Sequence, residues 1–156
     1  MGEETIVEAV ARMLAERELT LGTVECAVDG IVSRRVFDAS DGPTVLGNSL
    51  IVDEVEEAIQ ILDLPRPQFK KAGDFSAKAA RAAAREGRTF LGVDLCLAVW
   101  ARAPIADDLK ERQSLYIALH TGQEVLVQTL QYEGPSEQAT DWLVSRALDV
   151  VRQALL

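Results

Sequence analysis

The stretch Leu19-Thr20-Leu21-Gly22-Thr23-Val24-Glu25-Cys26-Ala27-Val28-Asp29-Gly30-Ile31-Val32-Ser33-Arg34-Arg35 decides the fold. Its first half alternates, with Leu19, Leu21 and Thr23 on one side, which suits a buried strand. Its second half places Ile31, Val32 and, just beyond, Val36 on one apolar side of a helix, with Asp29 standing as an N-cap. Cys26 to Gly30 make the turn between them. Strand, tight turn and helix read as the opening of an α/β unit. In open α/β sheets small ligands settle beyond the carboxyl ends of strands, where helix N-termini offer N–H donors and partial positive charge. Cys26 is expected at such a rim.

Upstream, Ile6, Val7, Val10, Met13 and Leu14 recur at helical spacing, with Glu4 or Thr5 near the start, and the stripe stops at Glu16-Arg17-Glu18. Downstream, Asp38 to Pro43 is rich in turn formers and reads as a loop. Val45-Leu46 and Leu50 to Val52 suggest a second strand interrupted at Gly47-Asn48. From Asp53 to Leu62 the spacing of Val55, Ala58, Ile59 and Leu62 predicts a helix, with Asp53 or Glu54 at its positive end and Pro65-Arg66-Pro67 as its stop. Ala77 to Arg88 is a further helix, N-capped by Ser76 and with Gly87 near its end.

Leu91 to Trp100 is almost continuously apolar, as in a central strand covered on both faces. Ile105 to Arg112 reads as a polar loop. Leu115 to Leu119 and Val125 to Tyr132 flank Thr121-Gly122-Gln123 as an antiparallel hairpin, so the sheet is mixed. Pro135 suits the first turn of the closing helix, whose buried side carries Val144, Leu148, Val151 and Leu155. The expected architecture is α/β: a single three-layer α/β/α domain with a mixed sheet over residues 1–156.

A chain of 156 residues, 48% apolar, supports one core that buries roughly 70% of the unfolded surface. Met1-Gly2-Glu3-Glu4 is acidic and unlike a signal peptide, and no run approaches the roughly 20 apolar residues of a membrane span. A soluble, cytoplasmic protein is expected, without a membrane partner. The net charge of −9 argues against nucleic acid as a partner. The local cluster Arg66, Lys70, Lys71, Lys78, Arg81, Arg85 and Arg88 reads as a solvated face. The two cysteines read as free thiols, and His120, the single histidine, leaves no credible zinc set; no metal or cofactor is expected.

Residues Leu19 to Gly30 resemble the Leu-Thr-Leu-Ala-Thr-Ala-Glu-Ser-Cys-Thr-Gly-Gly signature of the CinA C-terminal domain family, whose active members are nicotinamide mononucleotide deamidases. The resemblance continues through Gly47-Asn48, Leu64-Pro65, Phe75 to Arg81, Leu91 to Val99 (Leu-Gly-Ala-Asp-Leu-Ala-Leu-Ala-Val in the family) and Leu115 to Leu119. It implies the same fold, a homo-oligomer and a small nucleotide as ligand. The departures cluster where the family keeps its reactive groups. The serine nucleophile falls on Cys26, and Cys-Thr-Gly-Gly on Ala27-Val28-Asp29-Gly30. Tyr-Ser-Asn-Glu-x-Lys falls on Asp53 to Ala58, which removes the implied Tyr and Lys, and the Thr-Gly-x-Ala-Gly-Pro loop falls on Trp100 to Pro104.

The candidate residues therefore each carry two readings. Cys26 is a nucleophile stabilised by backbone N–H groups, or a packed thiol whose acidic neighbours raise its pKa. Glu25, Asp29 and Asp53 face a cationic ring such as pyridinium beside Gly30, or Asp29 caps a helix and the others are solvated or paired. Arg102 holds a phosphate or carboxylate while Trp100 stacks on a ring, or Trp100 fills space left by lost glycines. Three functions compete: a non-catalytic relative that binds a small ligand, an amidohydrolase using Cys26, and a scaffold retaining only the fold.

Overall fold

The computed structural model describes residues 3–65, 75–101 and 113–156. Its elements are α1 (Ile6–Glu16), β1 (Leu21–Cys26), α2 (Ile31–Asp38), α3 (Gly42–Val45), β2 (Leu46–Val52), α4 (Val55–Leu62), α5 (Ala77–Leu91), β3 (Leu95–Trp100), β4 (Gln113–His120), β5 (Val125–Tyr132), a 3-10 turn (Ser136–Gln138) and α6 (Ala139–Leu155). The five strands lie in the order β2-β1-β3-β4-β5. The pairs β1–β2 and β1–β3 are parallel, while β3–β4 and β4–β5 are antiparallel, so the sheet is mixed as expected.

Helices cover both faces, which makes three layers. On one side Leu21, Leu97, Val99 and Ile117 meet Val10 and Leu14 of α1, Val32 and Val36 of α2 and Val144, Leu148 and Val151 of α6. On the other, Val24, Cys26, Cys96, Ala98 and Trp100 meet Val55, Ala58 and Ile59 of α4 and a run of alanines on α5. Strand β1 is buried along its whole length, as a central strand must be; the alternation read from Leu19 is real but has apolar cover on both sides.

Several boundaries differ from the sequence reading. Val45 belongs to the short helix α3, opened by Pro43, and the second strand is continuous. Its interruption is a bulge: Leu21 pairs with Leu46 and Thr23 with Ser49, so the extra residue falls at Gly47-Asn48. Helix α5 continues past Arg88 to Leu91 and is closed by Gly92 in the left-handed region (φ 67°), which shortens the third strand to Leu95–Trp100. The expected loop from Ile105 to Arg112 lies outside the described residues, as do Arg66, Lys70 and Lys71 of the basic cluster.

Gly87, taken for an end signal, is instead where α5 touches the sheet. A Cβ there would stand 2.8 Å from both Cys96 Sγ and Val24 Cγ2. Gly87→Ala gains about 1 kcal/mol of helix propensity but incurs overpacking of about 1–3 kcal/mol. A net loss near 1 kcal/mol is expected, read as a fall of about 2–4 °C in Tm.

The chain order fixes where a ligand can sit. Helix α2, following β1, lies on one face, and α4, following the neighbouring β2, lies on the other. In a sheet of this strand order the crevice forms between β1 and β3, from which the chain leaves toward opposite edges of the sheet, here beyond Cys26 and Trp100.

Candidate functional site

The rim turn is held in an uncommon backbone conformation. Ala27 (φ 62°), Asp29 (φ 57°) and Gly30 (φ 70°) all lie in the left-handed region, where a residue bearing a Cβ costs roughly 1–2 kcal/mol. Backbone bonds over-determine it: Ala27 N–H donates to Val52 O at 2.9 Å, Ile31 N–H to Val28 O at 3.2 Å and Ala101 N–H to Cys26 O at 3.4 Å. Gly30 is favoured by its left-handed backbone; the Ile51 Cδ1 that a Cβ would meet at 2.6 Å is the end of an exposed side chain that can move aside. Backbone strain of this kind collects at binding and catalytic sites.

Glu25 does not join Asp29 and Asp53 at the rim. Its side chain is 0% exposed and turns toward α2, where Oε1 accepts from Val32 N–H (2.9 Å) and Oε2 from Ser33 N–H (3.0 Å). Oε2 also accepts from the Thr23 hydroxyl (2.8 Å), which lies 2.9 Å from Ser49 Oγ on β2. Glu25 thus caps α2 from the strand, the role expected of Asp29. Asp29 itself is exposed, and the formal N-cap, Gly30, has no side chain to offer. The physical reason is proximity: a carboxylate on the last inward position of β1 meets the orphan N–H groups of the helix that follows the turn.

The starts of α4 and α5 at this pole are also capped by side chains, whereas α6, which begins beyond the end of β5 at the same pole, has no side-chain cap. Glu54 and Glu57 form a reciprocal capping box on α4, with Glu57 Oε1 accepting from Glu54 N–H (3.0 Å) and Asp53 N–H (3.2 Å). Ser76 Oγ accepts from Ala79 N–H (3.1 Å) on α5. Asp53 ends exposed at the rim, beside the N-terminus of α4 as expected.

Cys26 points to the opposite face from Glu25. It is 0% exposed and shares an apolar cluster with Val52, Val55, Ala58 and Trp100. Ala58, where the resemblance puts the family's Lys, is also fully buried there: the position faces the cysteine's side of the sheet with a methyl group instead of an amine. Trp100 pairs across the sheet with Cys26 on one side and Tyr116 on the other, and its side chain is completely buried. Arg102 lies outside the described residues.

Tyr116 and His120 also bear on the chemistry. Tyr116, opposite Trp100 and packed against the same cluster, went unnoticed because a tyrosine in an apolar strand carries no signal of its face. His120 pairs with Cys96, four strand positions or roughly 13 Å from the Trp100 row, so it cannot serve Cys26 as a base. Its pKa is lowered, first by burial and then by Arg88 and Arg85, with Glu86 opposing.

Cys96 is equally remote, and burial pushes its thiol up from 9.0 to about 12, against a weaker pull from Arg88. The fold thus favours the neutral thiol. That stabilisation is complete below pH 9 and fades as pH rises toward 12. Cys96 is expected to resist iodoacetamide at pH 9 until urea unfolds the chain, which peptide mapping of the alkylated cysteines would read.

An open cleft of ≈ 730 Å³ lies elsewhere, between the end of β5 and α6, lined in part by Tyr132, Pro135, Asp141, Trp142 and Arg146. It contains none of the sequence-predicted residues. Among the described residues, no helix is long and apolar enough to cross a membrane.

The architecture matches solved structures. A competence-damaged protein (CinA) superfamily protein of Escherichia coli superposes with a TM-score of 0.83 at 18% identity, covering 97% of this chain and 89% of that one. Another, from Klebsiella pneumoniae, gives 0.85 at 16% identity, with 99% and 98% covered. In sequence, a CinA-like protein of Geobacter sulfurreducens is 31% identical over 157 aligned residues, which is 99% of this chain and 38% of that protein. A CinA-like protein of Dictyoglomus turgidum is 27% identical over the same shares. The chain thus spans well under half the length of these relatives. With the model of the CinA C-terminal domain matched across residues 3–155, the chain belongs to the CinA C-terminal domain family.

Proposed function

We propose that this domain binds a small ligand, a pyridine nucleotide such as nicotinamide mononucleotide, at the strand ends around Cys26, Asp53 and Trp100, and does not hydrolyse it. The observation that carries the reading is the contrast at one rim. The strained turn Ala27 to Gly30 is kept, whereas the thiol is enclosed in an apolar cluster and a methyl group stands where the family's Lys falls. A nucleophile needs a neighbouring base or an activating charge, and the single histidine is at the far end of the sheet. Exposed Asp29, Asp53 and Glu54 give the rim a negative character suited to a cationic ring.

Calorimetric titration with nicotinamide mononucleotide tests the reading. Saturable heat supports it; no heat at millimolar ligand overturns it. The complete burial of Trp100 favours a second reading, in which the indole fills the old pocket and only the scaffold persists. That reading gains from the same negative result.

A further inference from the structure

Strand β5 is a sheet edge without the usual guards. It pairs with β4 along its whole length, Val125 to Tyr132, with no bulge. It contains no charged residue and no proline, whereas β2, the opposite edge, carries a bulge. Natural edge strands are normally blunted by lysine, proline, a bulge or a covering element, because their outward N–H and C=O groups can pair with another chain. Among the described residues, the outward backbone groups of β5 have no partner.

The two faces beside this edge differ in character. On the α5 side Val125 and Val127 are half-buried and Thr129 is exposed. On the other side Leu126 and Leu130 are half-buried against the core under α1 and α6, and Gln128 is exposed. Helix α5 packs over β4 and β5, and its Lys78, Arg81, Arg85 and Arg88 recur at three- and four-residue spacing along one side. Arg88 leans as far as the hairpin, where its Nη2 would stand 2.8 Å from a Cβ on Gly122, while its Nε donates to Asp94 O. Lys78, Arg81 and Arg85 are exposed. Opposing charge is sparse: Glu86 stands 3.8 Å from Arg85, the Asp94 carboxylate accepts from Thr20, and Glu124 and Glu133 lie beyond the ends of β5.

We infer that β5 is the docking strand for an extended segment of a partner protein in which acidic residues alternate with apolar ones. The added strand lies about 4.8 Å beyond β5 and pairs with its outward backbone groups. Its acidic side chains point to the side on which Arg81 and Arg85 stand, and its apolar ones to the face of Leu126 and Leu130. Charge complementarity selects this occupant. A second copy docked through its own β5 would bring two positive α5 stripes together on one face of the joined sheet, and a nucleic acid would meet the net charge of −9. The surface runs along the sheet edge and is separate from the rim at Cys26.

Fluorescence anisotropy of a labelled peptide that alternates glutamate with valine and leucine tests this, against the wild-type chain and the double variant Arg81→Glu, Arg85→Glu. Both arginines are exposed, so the fold is retained, which circular dichroism checks. The expected result is saturable binding that weakens about tenfold or more at roughly 0.5 M salt, where screening shortens the reach of the α5 charges to a few ångströms. The double variant should bind about tenfold more weakly or worse. A peptide with lysine in place of glutamate should fail on the wild type and bind the double variant better. N-methylation of the alternate peptide nitrogens that face β5 should abolish binding. No binding of the glutamate peptide overturns the inference. Affinity unchanged by charge reversal overturns the role of α5, and affinity unchanged by N-methylation overturns strand addition. A single-stranded oligonucleotide that displaces the peptide and binds more tightly, or self-association of the chain that the peptide does not reverse, overturns the choice of occupant.

Discussion

Glu25→Ala is expected to cost about 2–4 kcal/mol of unfolding free energy, because it removes a helix cap (about 0.5–2 kcal/mol) and leaves buried donors unsatisfied (about 1–3 kcal/mol). The carboxylate accepts three hydrogen bonds in a fully buried position, two of them from the backbone N–H groups that open α2. Alanine leaves the two backbone donors unpaired, while the Thr23 hydroxyl keeps Ser49 Oγ as its partner, and opens a void between β1 and α2. In urea the midpoint should fall with little change in slope, since the surface exposed on unfolding is unaltered. Glu25→Gln, which keeps one acceptor oxygen but turns an N–H2 toward the remaining donors, should lose roughly half as much. Were Glu25 a ligand contact and not a helix cap, both variants would unfold like the wild type.

Trp100→Ala should be of similar size, about 3–5 kcal/mol, because a completely buried indole is removed from the cluster under α4 and α5. Trp100→Phe separates two contributions. It retains most of the apolar contact and removes the buried indole N–H, which has no hydrogen-bond partner among the described residues, so its loss should be near about 1 kcal/mol. Trp142 is the internal control. It is only partly buried, with its ring 5.0 Å from that of Tyr132, and Trp142→Phe should change stability by less than about 1 kcal/mol. Denaturant unfolding of the three variants side by side reads all of this.

Much of the scaffold was legible because hydrophobic period and turn chemistry agreed. The Val144, Leu148, Val151 and Leu155 stripe, the Thr121-Gly122-Gln123 hairpin and the Ser76 cap all stand where the residues place them. The misplacements have a common cause: a local signal overridden by a tertiary contact. Gly87 looks like a terminator, but its missing Cβ serves the approach of α5 to Cys96 and Val24, and the true terminator is Gly92. Apolar Leu91 continues a helix instead of starting a strand. At the rim, sequence could nominate Glu25, Cys26 and Trp100, yet alternation alone does not say that Glu25 turns to α2 while Cys26 and Trp100 turn to α5. Asp29 was the nearer cap in sequence and Glu25 the nearer in space. Tyr116 comes into view only once β3 and β4 are aligned.

The account centres on a rim that keeps its shape and has lost its hydrolytic chemistry, and release of ammonia from nicotinamide mononucleotide tests this most directly. The measurement compares the wild-type chain with Cys26→Ala under saturating nucleotide. The predicted result is that neither releases ammonia above the uncatalysed background. Steady release by the wild type that disappears in Cys26→Ala would contradict the account and make the buried thiol a working nucleophile.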